Sequence, residues 1–318
     1  DTHSHVFPVD YANGVPENSG ILNIAAQVEK NGNTLILDGG DTLQGTPLSQ
    51  FYLKHAKIDA KMTDLMISNS KKTSDIFRDM FWYSGRILET GLPRNDEIFL
   101  KSSEKALKVK KELKIPRDAH IVLYAPTFRD EFDLKPYDLD LSMVVKTLRD
   151  KFGGEWIGLY RMHPNIKAAF SEMPNFNSCI NVTNYADSTA LLLATDVFIS
   201  DFSSMVFDFI LNEKLVLLYA SDYDEYVKTR GVWLTYDMTA FLYAIINTEL
   251  IKKIQNLDLK NYYNELEKMM NDFGMAETGC ASQIVSKVIL NYMRTNDLDY
   301  ALEKFSEKKD DWRYVIKP

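Results

Sequence analysis

Short runs of β-branched and aliphatic residues alternate, almost throughout this chain, with stretches whose apolar positions recur every three to four residues. That rhythm constrains the fold more than any other feature. Strands separated by helical crossovers run parallel, and a parallel sheet has to be covered on both faces. Strand candidates are residues 34–37, 65–67, 87–88, 121–124, 157–160, 180–182, 197–199 and 215–219, with helical periodicity over 102–113, 141–152, 187–194 and 204–211. From residue 119 onward the alternation is regular and predicts one complete doubly wound domain. The stretch 249–311 is mostly helical and charged. The first 118 residues are less orderly, with a glycine-rich turn at Gly39-Gly40-Asp41, and the charged segment 101–116 predicts a connector between domains.

Composition narrows the function classes. Of 318 residues, 45% are hydrophobic and 26% charged, enough apolar material for two ordinary domains. No run of about 18 apolar residues predicts a membrane span, and no basic, then apolar, opening predicts a signal peptide. The formal net charge of −8 argues against a general nucleic-acid binder while leaving room for a local basic pocket. The two cysteines, Cys179 and Cys280, stand in unrelated contexts, which excludes a disulfide framework or a paired-cysteine zinc site and fits a reducing, cytoplasmic compartment.

Three places carry candidate chemistry. At Ile199-Ser200-Asp201-Phe202-Ser203-Ser204 a strand ends and hydroxyl residues open a helix, whose free N–H groups and positive dipole end attract phosphate. Ser203 could equally be a helix cap. At Tyr160-Arg161-Met162-His163-Pro164, again past a strand, Arg161 could clamp a phosphate, and His163 could exchange protons near neutral pH or serve the fold alone. The loops Gly91–Asp96 and Tyr124–Arg129 place arginines and hydroxyl or amide donors after strands, although turn chemistry would explain either.

Taken together, six segments in order, GLPRND (91–96), LYAPTFRD (123–130), LYRMHPN (159–165), TDVFISDFSSMVFDF (195–209), LVLLYASDYDEY (215–226) and RGVW (230–233), resemble the CDP-glycerol glycerophosphotransferase family of teichoic-acid-type polymer synthesis. The resemblance spans roughly residues 63–290, and Glu277–Ser282 is similar to that family's closing helix. It implies an α/β, GT-B-like fold of two Rossmann-like doubly wound domains, the N-terminal one shortened and composite. The implied reaction moves glycerol phosphate from CDP-glycerol to a hydroxyl of a polymer or primer and releases CMP, with no cofactor and no metal. In that reading His163 is catalytic. Ser203, Ser204 and Arg161 hold the diphosphate, Arg230 is a weaker candidate for the same task, and Asp201 orients the loop. A lipid-linked or polymeric glycerol-phosphate acceptor implies peripheral contact with the inner membrane face, and no nucleic-acid partner is expected.

The beginning of the chain differs. Asp1-Thr2-His3, residues 9–14, Asn18-Ser19-Gly20 and residues 37–48 resemble the start of a 5′-nucleotidase of the calcineurin-like metallophosphoesterase family. Asp1, His3 and Asp41 would match its first metal ligands, but the histidine-bearing segments that complete such a two-metal site do not follow. Near Gly45-Thr46-Pro47-Leu48 the two resemblances meet. There the transferase family's Trp-His pair is replaced by Leu43-Gln44, so a histidine thought to be catalytic is missing. The expected organisation is a metallophosphoesterase-like fragment at 1–58, the rest of the N-terminal domain and connector at 59–116, a nucleotide-binding domain at 117–290, and a helical tail at 291–318. Two alternatives stand beside an active transferase: an inactive protein that binds a CDP-linked ligand, and a metal-dependent phosphohydrolase using Asp1, His3 and Asp41.

Overall fold

The computed structural model describes residues 37–38, 63–129, 137–162, 176, 178–229, 232 and 234–306. The chain divides into two compact units, one formed by Asp1–Asp96 with Met270–Pro318 and the other by Glu97–Met269.

In the first unit, β1 (Leu37–Asp38), β2 (Leu65–Ser68) and β3 (Arg86–Glu89) form a parallel sheet in that order. Alternation along β2 sends Leu65 and Ile67 to one face and Met66 to the other. Met66 joins Phe77, Tyr83 and Ile87, with Phe77 supplied by α1 (Lys71–Asp79). Ser70 starts α1 by accepting the Thr73 N–H at 3.0 Å. Leu65 and Ile67 meet Leu88, Ile284, Val288, Ala301 and Leu302 on the opposite face. The last four come from α10 (Ala281–Thr295) and α11 (Leu298–Ser306), which complete the core of the first unit. Residues 298–302 were expected within a tail; the burial of Ala301 and Leu302 makes them core.

A latch closes this unit. The 3₁₀ turn Pro93–Asn95 leads into α2 (Asp96–Phe99), and Asp96 accepts the Ala281 and Ser282 N–H groups at 2.8 and 2.7 Å. It thereby caps α10 from 185 positions away, since Cys280, at the cap position itself, makes no side-chain cap. Glu277 accepts from the Leu92 N–H at 3.1 Å and from Asn95 Nδ2 at 2.8 Å. Gly91 sits at φ +84°, where a Cβ would lie 2.9 Å from the Glu277 Cα, so the close approach requires glycine. Asp96→Ala is expected to cost about 1–3 kcal/mol, the penalty for stranding buried donors, read as a lowered thermal midpoint. Asp96→Asn, which keeps one acceptor, should recover part of it.

The second unit is a six-stranded sheet in the order β6-β5-β4-β7-β8-β9, with every described pairing parallel. Its strands are β4 (His120–Tyr124), β5 (Trp156–Tyr160), β6 (Ile180–Asn181), β7 (Val197–Ser200), β8 (Leu215–Tyr219) and β9 (Leu242–Ala244). The central strands read as unbroken apolar runs because both faces are covered; β7 and β8 are buried at every residue. The covering helices include α3 (Ser103–Glu112), α4 (Leu141–Phe152), α5 (Ser188–Ala194) and α8 (Asn247–Gln255). Asp140 caps α4 and Asp187 caps α5, each accepting an N–H at 2.9 Å. Segment 101–116, expected as a connector, contributes α3, which packs against α5 within this unit. Helix α9 (Leu259–Phe273) runs from the second unit into the first.

Candidate functional site at the strand ends

The sheet order repeats the doubly wound pattern in which the chain works outward from a central strand, then returns to its other side. That reversal falls between β4 and β7, and such sheets bind ligands outside the carboxyl ends of the strands at this point. The loops there are 125–129 after β4 and 201–204 after β7. Ser200 Oγ donates to the Ala125 carbonyl at 2.7 Å and the Ala125 N–H donates to the Ile199 carbonyl at 2.9 Å, tying the loops together at their roots.

Asp201 is 3% exposed and spends its carboxylate on these loops. One oxygen accepts from Thr127 N–H (2.8 Å), Thr127 Oγ1 (2.6 Å) and its neighbour Phe202 N–H (2.7 Å); the other accepts from Arg129 at 2.9 Å. Arg129 also grips Asp222, just past β8, with Nε at 2.6 Å and Nη2 at 2.9 Å, and donates to the Thr127 carbonyl at 2.8 Å. Burial opposes the charge on Arg129, but Asp201 and Asp222 outweigh it and hold its pKa above the ordinary value. Phe202 stacks face to face on Tyr226 of α7 (Tyr223–Thr229), with ring centroids 3.7 Å apart, and the guanidinium carbon lies 4.7 Å from the Tyr226 centroid.

Ser203 and Ser204 then enter α6 (Met205–Phe209), which continues as the 3₁₀ turn Ile210–Asn212, so the predicted 204–211 helix is two short pieces. Ser204 occupies the cap position without a side-chain cap bond and is exposed. Ser203 Oγ accepts the Met205 N–H at 3.2 Å, so capping and an available hydroxyl proton coexist.

Arg161 follows β5 on the other side of β4. Its N–H bonds the Tyr124 carbonyl at 2.8 Å and its Nη1 bonds the Tyr185 carbonyl at 2.7 Å. No carboxylate pairs with it among the described residues, and burial lowers its pKa from the ordinary value. A desolvated cation without a counter-charge favours an anion. Tyr124 and Tyr236 are buried with hydroxyls that have no hydrogen-bond partner among the described residues, and burial pushes both well above the ordinary phenol range.

The structure thus brings Asp201, Ser203 and Ser204 together on one loop and sets Arg161 two strands away, across β4. His163, Arg230, Gln44, Asp1, His3 and Asp41 lie outside the described residues. Among the described residues no three metal-ligating side chains cluster, and no helix is long and apolar enough to cross a membrane. The residue that sequence reasoning undervalued is Arg129. The signal it left was an arginine five residues past one strand, with an aspartate directly past another and a second carboxylate three past the next.

A parallel sheet of this order, with hydroxyl residues and an arginine in the loops past its strands, places the chain among GT-B-like α/β proteins. The chain belongs to the CDP-glycerol:poly(glycerophosphate) glycerophosphotransferase family, whose model matches residues 30–291. That match begins inside the segment where residues 1–48 resemble a metallophosphoesterase. The chain is 32% identical over 251 residues to a teichoic acid poly(glycerol phosphate) polymerase of Staphylococcus epidermidis, covering 75% of this chain and 34% of that protein. It is 30% identical over 250 residues to a teichoic acid glycerol-phosphate transferase of Staphylococcus aureus, covering 76% of this chain and 64% of that one. Among solved structures, a variant of the wall teichoic acid polymerase TagF matches with a TM-score of 0.64 at 26% identity, over 92% of this chain and 67% of that chain. The GT-B-like fold expected from the resemblance is therefore found. The chain spans less than two thirds of the length of these curated relatives.

Proposed function

We propose that this chain transfers glycerol phosphate from CDP-glycerol to a hydroxyl of a polymeric or lipid-linked glycerol-phosphate acceptor. The acceptor oxygen forms a bond to the phosphorus that bears glycerol, the bond from that phosphorus to the bridging oxygen breaks, and CMP departs with the bridging oxygen. The hydroxyl proton goes to a base. A related TagF variant, 28% identical over 77% of this chain, was solved after soaking with CDPG, which supports a CDP-linked donor here.

The observation that carries the reading is the half-buried Arg161, with no carboxylate partner among the described residues, which follows β5 and stands across β4 from the loop that ends in Ser203 and Ser204. Transfer between phosphates asks for charge neutralisation and positioning more than for covalent chemistry. Arg161 supplies the charge, the Ser203 and Ser204 hydroxyls hold diphosphate oxygens, and Arg230 adds a second cation. His163, two residues past Arg161, handles the proton. Asp201 orients the loop and does not touch the substrate, because its carboxylate is already engaged. A lipid-linked acceptor would place the work at the inner membrane face.

Changing Ser203 and Ser204 together to alanine should weaken CDP-glycerol binding at least tenfold, about 1.4 kcal/mol. Calorimetry checks this, and unchanged affinity would remove the loop from the site. Release of CMP from CDP-glycerol with a glycerol-phosphate acceptor tests the reaction itself; metal-dependent phosphate release from nucleotides would point instead to a hydrolase.

A further inference from the structure

We propose that Arg129 is a positioning residue, which fixes the Ser203–Ser204 loop by strapping together the chain leaving β4, β7 and β8. The proposal deepens the transfer reaction above and rests on its placing the diphosphate at that loop.

Arginine has five N–H donors, and at least four of these are engaged. They go to Asp222 (two), Asp201 and the Thr127 carbonyl, all within 2.9 Å. The side chain is only 8% exposed. A guanidinium so occupied cannot also clamp a phosphate, in contrast to Arg161. The charge count agrees: one cation against two carboxylates leaves −1, which repels an anion rather than drawing it in. The excess negative charge is met by the Thr127 and Phe202 N–H groups and the Thr127 hydroxyl, all donated to Asp201. Each of those bonds fixes backbone within two residues of Ser203 or on the loop facing it.

The three acceptors sit just past β4, β7 and β8, which are neighbours in the sheet. A planar fork can meet all three at once, whereas a lysine ammonium is a point charge on a flexible stem. Phe202 and Tyr226, stacked in parallel on each other, together flank the guanidinium, whose carbon lies 5.2 Å from the Phe202 centroid and 4.7 Å from the Tyr226 centroid. Arg129 therefore acts on the substrate only through Asp201 and the loop.

The test compares wild type with Arg129→Lys and Asp222→Asn, the second variant leaving the arginine and Asp201 in place. Hydrogen exchange without ligand should show the Thr127 and Phe202 amides exchanging at least tenfold faster in Arg129→Lys, with a smaller increase in Asp222→Asn. The kcat/KM for CMP release should fall at least tenfold in Arg129→Lys, with most of the loss in kcat. A folded Arg129→Lys protein with unchanged amide exchange overturns the proposal, and a pure KM effect with unchanged exchange would make Arg129 a substrate ligand instead. If the exchange result holds while wild type releases no CMP, the strap stands and the transfer reading falls.

Discussion

Replacing Gln44 by histidine is expected to raise the rate of CMP release by about 10²–10⁴-fold, the usual contribution of a positioned general base. An amide has no useful proton affinity at neutral pH, so Gln44 can align an acceptor hydroxyl but cannot take its proton. The unmodified chain should accordingly bind CDP-glycerol and turn it over slowly. His163→Ala should remove the remaining turnover while leaving donor affinity within a few-fold. Rates for the four proteins, wild type, each single variant and the double variant, settle the matter. Fast turnover by the unmodified chain would show that another group, or none, serves as base. No gain from Gln44→His would show that residues 43–48 do not occupy the acceptor-side position that the family's segment implies.

Asp201→Ala should destabilise the second unit by about 3–5 kcal/mol, the cost of breaking a buried ion pair from one side. Asp201 and Arg129 expose only 2% and 8% of their side chains, so water cannot replace the lost partner. The Thr127 and Phe202 N–H groups would lose their acceptor at the same time. For a unit of this size the loss corresponds to a thermal midpoint roughly 6–20 °C lower. Asp201→Asn should fall between, because an amide oxygen still accepts from the two N–H groups while its NH₂ faces the guanidinium. A midpoint within about 2 °C of wild type for the alanine variant would mean that the pair contributes little beyond geometry.

The second unit was legible in the sequence to a degree the site was not. Runs such as Ile121–Tyr124 and Leu215–Tyr219 announce buried parallel strands because their apolar character is local and unbroken. Strand β9 (Leu242–Ala244) escaped notice: three residues at a sheet edge, one of them buried, leave a weak pattern. The phosphate-loop candidates Ser203 and Ser204 could be read from a strand running into hydroxyls. Arg129 with Asp201 and Asp222 could not, since the partners lie 72 and 93 positions away and no spacing rule links them. The same holds for α11, which falls within the tail expected at 291–318, although Ala301 and Leu302 belong to a core begun by β2 and β3.

The first unit is discontinuous, and synthesis from the N-terminus turns this into an order of events. Glu97–Met269 is one unbroken stretch, so its sheet can assemble as soon as it has left the ribosome. The first unit has to wait, because Asp96 has no Ala281 to cap and β2 no Ile284 to bury against until the last segment is made. During that interval Leu65, Ile67 and Leu88 lack part of their cover. Once the intervening unit has folded, the gap between Asp96 and Ala281 is no longer a floppy loop of 185 positions but a preformed body, and the entropy of closing it falls accordingly.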